Sequence, residues 1–386
     1  MSRLGEDRRY FDLIPAGWVV AALSLLFTSA DTAFAQTNVF VWGNNVFGQM
    51  NVPPDLTNAA AISAGGAHII ALRSNGLAVV WGANSAFQTN VPSDLSNVVG
   101  VAAGSAHCLA LKTNGTVVAW GISSVTNVPA DLNGVAAVTG GGGHGSFCLA
   151  LKEDGTVVAW GDGSSGQTNV PAGLTNVVAV TAGDTHSAAL KADGSVVAWG
   201  FGPTTVPAGL DNVVAISAGE RHNLVLKGDG TVFAWGENYY NQTNVPADLT
   251  NVLAVAAGRW HNLALKADGT VSAWGRYYDG AHYQTMTVPS GLTNVTAIEA
   301  GSSTSVALLN GRPKATVPAM NPSLSGGAFR VLAASQSGRV YRLEYLDSLT
   351  DSNWTAMPLT AGTGRDIVLT DCAATNSHRF YRIRHW

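Results

Sequence analysis

The stretch from Asn176 to Gly200 reads NVVAVTAGDTHSAALKADGSVVAWG and divides into three apolar runs, NVVAVTAG, HSAALK and SVVAWG. Each run has strand length and β-branched content. Both alternating sets are apolar, Val177 and Ala179 against Val178 and Val180, so each small sheet must be covered on both faces. Between the second and third runs stands Asn-Gly or Asp-Gly, at Asn75-Gly76, Asn114-Gly115, Asp154-Gly155, Asp193-Gly194, Asp229-Gly230 and Asp268-Gly269. These pairs tolerate the positive φ of a tight turn, which predicts an antiparallel hairpin. No Asp-x-Asp-x-Asp-Gly with a distant Glu accompanies them, which argues against calcium loops.

The pattern recurs. Trp-Gly pairs begin at Trp42, Trp81, Trp120, Trp160, Trp199, Trp235 and Trp274, at spacings of 39, 39, 40, 39, 36 and 39 residues. Strand-only units of this period stack face to face as the blades of a β-propeller. The first Trp42-Gly43 lacks a preceding strand pair, and the last pair, Ala300-Gly301 to Leu308, lacks a following Trp-Gly. Each end supplies what the other lacks, an argument against a linear solenoid. The expected fold is all-β: a seven-bladed β-propeller over residues 36–311, in which Val39 to Gly43 completes the sheet of Val295 to Leu309. Such closure removes two open sheet edges. The repeated Trp is expected to act as a wedge between blades.

The consensus AGxxHSLALKxDGTVVAWGxxxxGQ resembles the regulator of chromosome condensation repeat in a compact bacterial form. The resemblance covers residues 38–311. The short period and the GQTNVP segment, Gly166 to Pro171, are similar to the propeller-type β-lactamase inhibitor proteins. That resemblance implies a secreted, seven-bladed protein that binds a partner protein through loops at one end of the propeller. The chain departs from the pattern in a Gly-rich insertion near Gly140 to Gly145, in Phe147 at the His position, and in Thr304 at the last His position.

Residues 312–328, RPKATVPAMNPSLSGGA, read as a Pro/Gly/Ser linker. Beyond it, residues 329–386 carry FRVLAAS, RVYRLEYL, DIVLTD and RFYRIRHW, read as the strands of a small C-terminal β-sandwich-like domain. It is similar to short C-terminal modules ending in RFYR-x-R on exported bacterial proteins. The pairs Asn353-Trp354 and Arg379-Tyr381 read as core and edge residues. Residues 1–35 have the form of an export signal: Arg3, Arg8 and Arg9 precede an apolar run from Ile14 to Phe27, and Ala33-Phe34-Ala35 offers a cleavage site. The run is short against the roughly 20 residues of a membrane span. The expected location is therefore secreted, periplasmic or cell-surface, with no stable span after cleavage.

A net charge of -4 and a pI near 6.1 give no basic field for nucleic acid. The five in-register histidines His68, His107, His186, His222 and His261 are expected to bond a neighbouring blade's backbone. Metal ligands must converge within about 2 Å of one ion, whereas equivalent positions on seven blades are spread around a ring whose radius the sequence does not give, so metal or anion binding at the channel mouth is the lesser reading. Cys108 and Cys148 share a repeat position in neighbouring units, so a bridge is conceivable, though small buried residues suffice to explain them. Gly140 to Gly145 lacks the Lys-Ser/Thr of a phosphate loop, and G-x-S-x-G, HExxH and CxxC are absent. No cofactor and no enzymatic activity are expected.

What stands apart from the repeat frame is gathered by strand direction. The xx of AGxxH and the loop after Trp-Gly fall at one face, and the Asp-Gly hairpins at the other. Tyr239, Tyr240, Tyr277, Tyr278, Tyr283 and Arg276 lie in post-Trp-Gly loops; Glu220, Arg221, Arg259 and Trp260 lie in AGxxH loops of the same consecutive units. Tyr, Trp and Arg dominate binding hot spots. These ten residues are the expected partner-binding site of a monomeric, non-enzymatic scaffold. A protein partner is expected first and a glycan second, with guanine nucleotide exchange as a lesser reading.

Overall fold

The computed structural model describes residues 37–143, 145–309, 320–325, 328–337, 339–347, 354–372 and 379–385. Residues 1–35, read as an export signal, and Asn353 lie outside them, as does most of the stretch read as a linker. From residue 39 to 309 the chain forms seven small antiparallel sheets. The first comprises Ala59–Ala64, His68–Arg73 and Ala78–Gly82; the second Val98–Ala103, His107–Lys112 and Val117–Gly121. The third comprises Val135–Gly141, Phe147–Lys152 and Val157–Gly161; the fourth Val177–Ala182, His186–Lys191 and Val196–Gly200. The fifth comprises Val213–Ala218, His222–Lys227 and Val232–Gly236. The sixth comprises Val252–Ala257, His261–Lys266 and Val271–Tyr278, with Tyr283–Thr285 added at its edge. In the seventh, Val295–Ala300 and Thr304–Leu309 are joined by Val39–Gly43, with Trp42 opposite Ser305.

The first strand of each sheet touches the first strand of the next, and Val295–Ala300 touches Ala59–Ala64, so the neighbours form a cycle. Backbone bonds between consecutive AGxxH turns tie that cycle. Gly66 N–H donates to Gly104 O (3.1 Å), Gly142 to Gly183 (2.8 Å), Asp184 to Glu220 (3.2 Å), Arg259 to Gly301 (3.2 Å) and Ser302 to Gly65 (3.2 Å). The last of these bonds the seventh sheet to the first.

The repeat residues divide the work of joining sheets. The indole N–H of Trp81, Trp120, Trp199 and Trp274 donates to the carbonyl of Gln49, Gln88, Gln167 and Gln242, at 2.9–3.0 Å, in the loop of the preceding sheet. Trp160 reaches Val125 O instead (2.9 Å), because a single helical turn, Ser123–Thr126, stands where the Gln loop would be. Each buried Trp removes roughly 150–250 Å² from water, an upper value of about 4–6 kcal/mol. Trp235 likewise donates to Pro203 O (3.1 Å), so the wedge expected of the repeated Trp is a hydrogen-bonded one in six of the seven positions, Trp42 being the exception.

The histidines also bridge sheets, but mostly through side chains. His68 Nε2 meets the backbone carbonyl of His107 (3.1 Å), whereas His186 meets Asn223 Oδ1 (3.0 Å), His222 meets Asn262 Oδ1 (2.7 Å) and His261 meets Ser305 Oγ (3.1 Å). His107 meets Cys148 Sγ at 3.2 Å, and Cys108 and Cys148 are both free thiols. The expectation of backbone partners is corrected: a residue in the same strand position of the next sheet offers its side chain at the required height. The glycine of AGxxH is there for the same ring, since a Cβ on Gly65 would lie 2.5 Å from His68 Cε1. Phe147 fills the His position of the third sheet fully buried.

The C-terminal residues form two further sheets, Met320–Ser325 with Ala328–Ala334 and Asp366–Asp371, and Val340–Leu346 with Thr355–Ala356, Thr360–Ala361 and Phe380–His385. Their shared core contains Phe329, Val331, Tyr341, Leu343, Leu369 and Tyr381. Tyr381 stacks on Phe329 at 3.8 Å, and Arg379 bonds Asp347 (2.9 Å) and Asp371 (2.5 Å). Met320–Ser325 lies inside the segment read as a linker. Pro322 is accommodated because the strand is an edge strand whose register shifts between Met320 and Ser323.

Candidate functional site: an aromatic cluster beside the channel mouth

The inner strands surround a cavity of about 270 Å³ whose mouth is lined by the AGxxH turns, including Gly65, Gly104, Gly183, Asp184, Glu220 and Arg259. Gly140 to Gly143 of the Gly-rich insertion line this rim. Gly140 and Gly141 end a strand, and Gly143 N–H donates to the Asp184 carboxylate.

Between the fifth and sixth sheets the rim carries a bidentate ion pair. Arg259 Nε and Nη2 bond Glu220 Oε2 and Oε1 at 2.7 and 3.0 Å. The Glu220 side chain is 10% exposed and that of Arg259 38%. The bond to Glu220 raises the Arg259 guanidinium above its ordinary value. The same guanidinium lies 4.3 Å over the Trp260 ring, a cation–π contact. Trp260 packs against Tyr240 (4.9 Å) and Tyr283 (5.3 Å); Tyr240 stacks on Tyr283 (4.9 Å, 25°), and Tyr278 abuts Tyr283 (5.3 Å). The polar influence of the neighbouring Tyr283 side chain is the main cause of a raised Tyr240 value.

The loops that hold this cluster are fixed from behind. Gln242 Oε1 accepts the Tyr240 N–H (2.8 Å), while Gln242 O accepts both the Trp274 indole (3.0 Å) and Asn262 Nδ2 (2.7 Å). One glutamine therefore locks an aromatic loop to the sheet frame. In the neighbouring hairpin, Asp279 Oδ1 accepts the N–H groups of Ala281 and His282 at 2.8 Å each, and Oδ2 accepts Gln284 Nε2 at 2.9 Å. Those donors, the His282 N–H first, hold the Asp279 carboxyl down at about 2. Asn44 Nδ2 pins the Tyr278 carbonyl at 2.8 Å.

Of the ten residues expected at the site, Glu220, Arg259, Trp260, Tyr240, Tyr278 and Tyr283 come together. Arg221 forms a separate pair with Glu237 (3.3 Å). Tyr239 stands clear of the cluster, 84% exposed, and Arg276 is exposed one position past Trp274-Gly275. Tyr277 is a correction: it packs on the core cluster of Trp42, Leu263 and Met286 instead of facing a partner. The strand Val271–Tyr278 continues past Trp-Gly and pairs with Tyr283–Thr285, so Tyr277 and Tyr278 point to opposite faces. Phe47, Phe87 and Phe201, in the equivalent loops of other sheets, are all strongly exposed. Among the described residues no three His, Cys, Asp or Glu side chains come together in a way that could hold a metal ion, and no helix is long and apolar enough to cross a membrane.

A family model for the regulator of chromosome condensation (RCC1) repeat matches residues 59–88, 98–125, 135–167, 177–202, 213–242 and 252–281. No match was found among curated protein sequences. Among solved structures, Prp20p from Saccharomyces cerevisiae is similar at TM-score 0.59 and 20% identity, over 71% of this chain and 92% of that one. Human WBSCR16 is similar at TM-score 0.55 and 19% identity, over 70% and 99%. The ectodomain of the Physcomitrella patens receptor kinase CR4 is similar at TM-score 0.52 and 21% identity, over 69% and 80%. With one unit matched six times and the sheets arranged as in these RCC1-like propellers, the chain belongs to the RCC1 repeat superfamily.

Proposed function

We propose that this protein is an exported, monomeric, non-enzymatic scaffold that binds a protein partner through the face carrying the aromatic cluster. In this reading the seven sheets are the blades of a propeller sewn shut by Val39–Gly43, and the C-terminal sheets form a small sandwich. The carrying observation is the set of Trp260, Tyr240, Tyr278 and Tyr283 packed on one another beside the Arg259–Glu220 pair. Rings already ordered by their neighbours lose little rotamer freedom on docking, which is how rigid aromatic anchors gain affinity. An open sugar platform would need a free ring face, whereas Trp260 has Arg259 over one face and Tyr rings around it. That favours a protein over a glycan.

Two named classes of protein partner follow from similarity. Prp20p is described by its binding to Gsp1p and histones, which keeps a small GTPase in view, and the GQTNVP loops resemble the β-lactamase inhibitor type. The test is direct binding of the purified chain, by biolayer interferometry, to a panel of β-lactamases, a set of small GTPases and a glycan array. The proposal expects a protein hit that the triple change Trp260→Ala, Tyr240→Ala, Tyr283→Ala abolishes. A glycan hit, or a protein hit indifferent to the triple change, would overturn it.

A further inference from the structure

The seven inner strands control for one another, because each repeat position is sampled seven times. The third position is Ala61, Ala137, Ala179, Ala215, Ala254 and Ala297, but Gly100 in the second sheet. A Cβ at position 100 would meet Ser337 Oγ at 3.1 Å and Ser337 Cβ at 3.2 Å. Ser337 belongs to a turn in the C-terminal region, and its hydroxyl donates to the Ala136 carbonyl of the third sheet (2.6 Å). The fifth position is Ser63, Ala102, Thr139, Thr181, Ser217 and Ala256, but Glu299 in the seventh sheet, the one charged residue on the inner strands. Burial pushes the Glu299 carboxyl up to about 7, and the charge that works against this is Arg339, two residues from Ser337. Both departures from the repeat are answered by the same turn.

Further contacts seat the C-terminal sheets on the hairpin end of the propeller. Leu359 N–H donates to Ala192 O (3.0 Å), Arg342 Nη1 to Asn212 Oδ1 (3.4 Å) and Arg384 Nη1 to Gly228 O (3.3 Å), while Arg365 pairs with Glu153. Val340 and Leu359 are buried in the same apolar cluster as Val213 and Leu226. All of these lie at the end opposite the aromatic cluster.

We infer that the C-terminal region is the propeller's own stopper: Ser337 seats in the hairpin end of the channel, in a notch cut by Gly100, and leaves the cavity open at the aromatic face alone. The occupant of the hairpin face is this chain's own segment. The inference does not depend on the identity, or the existence, of a partner at the other face.

The test uses the full chain in a Cys372→Ser background carrying Gly100→Cys and Ser337→Cys; Cys108 and Cys148 are buried. The 3.2 Å approach is compatible with a disulfide after a small adjustment. Mild oxidation is expected to close the pair in nearly every molecule. Two thiols alkylated as fast as those of an unfolded control would overturn the proposal. A second measurement needs no cysteines. By hydrogen exchange the Leu359 amide is expected to be protected in the native chain, and Gly100→Ala is expected to speed its exchange roughly tenfold or more while the Trp-Gly strands keep their protection. A Leu359 amide that exchanges freely in the native chain, or is indifferent to Gly100→Ala, would show that the C-terminal region is a free tether.

Discussion

The two ends of the ring are built from one repeat and have opposite characters. At the hairpin end the turns are near copies: Asp154, Asp193, Asp229 and Asp268 each accept the backbone N–H and the hydroxyl of the Ser or Thr two residues on. Those bonds, the hydroxyl first, hold all four carboxyls below the ordinary value. At the other end, behind the mouth, a recurrent layer of Trp, His and Gln, interrupted at Phe147, Thr304, Val125 and Pro203, carries loops that differ from sheet to sheet. The difference teaches where such a fold can vary: a loop whose roots are bonded to the next sheet can change its tip without disturbing the frame.

The largest expected effect sharpens the frame side of this comparison. Burial holds the five in-register histidines at about 3 to 4, against about 6.5 in the unfolded chain. A folded value below the unfolded one means that the unfolded chain binds the extra protons. The stability is then complete above about pH 6.5 and is lost as pH falls toward 4. At about 1.4 kcal/mol per unit, each histidine contributes roughly 3 kcal/mol over that window. Urea denaturation at pH 7, 6 and 5 should show the decline; a flat profile would mean that these rings are not neutral bridges.

Next in size, Trp160→Ala is expected to destabilise the fold by about 3–5 kcal/mol, read by thermal and chemical denaturation, with partner affinity unchanged at the cluster. The cluster itself should behave in the reverse way. Trp260→Ala or Tyr283→Ala is expected to weaken partner binding by about 2 kcal/mol, some thirtyfold, with little change in melting. Tyr277→Ala, one residue from Tyr278, is expected to lower stability by about 2 kcal/mol and leave affinity alone. If Tyr277→Ala cost affinity and spared stability, the division between frame and loop would fail at that strand.

The smallest effect carries an opposite sign. Phe87 sits at φ 62 and is 68% exposed, where the equivalent turns use Gly48, Gly166 and Asn241. A bulky residue in that left-handed region costs about 1–2 kcal/mol, so Phe87→Gly is expected to stabilise the fold by about 0.5–1 kcal/mol after the entropy of the added glycine. Denaturant midpoints measure the gain, and a loss of affinity alongside it would extend the docking face to the first sheet.

Much of this architecture was legible because period carries it. Trp-Gly spacing, the Asp-Gly hairpins and the complementary halves at the two ends anticipated the three-stranded sheets and the pairing of Val39–Gly43 with Thr304–Leu309. Strand direction was enough to collect Trp260, Tyr240, Tyr278 and Tyr283 at one end, since a loop's face follows from the strands it joins. It could not foresee that the strand would run on to Tyr278, and so turned Tyr277 outward. The glutamines behind the loops recur in the sequence without declaring a role, because a backbone carbonyl that accepts an indole N–H leaves no mark in residue type. The seat of the C-terminal region was written in two letters, Gly100 for Ala and Glu299 for Ser, Thr or Ala. Such departures gain meaning once the partner surface is seen.

The strand Val39–Gly43 has one more consequence, for the order of events in folding. Its partner Thr304–Leu309 lies more than 260 residues further along the chain, Gly43 pairing with Thr304. Contacts so distant in sequence are the slowest to form, since the loop between them must first be ordered. Val39–Gly43 leaves the ribosome ahead of every other described strand and is thus the last of them to find its place, so the seventh sheet keeps an open edge until nearly the whole propeller has been made.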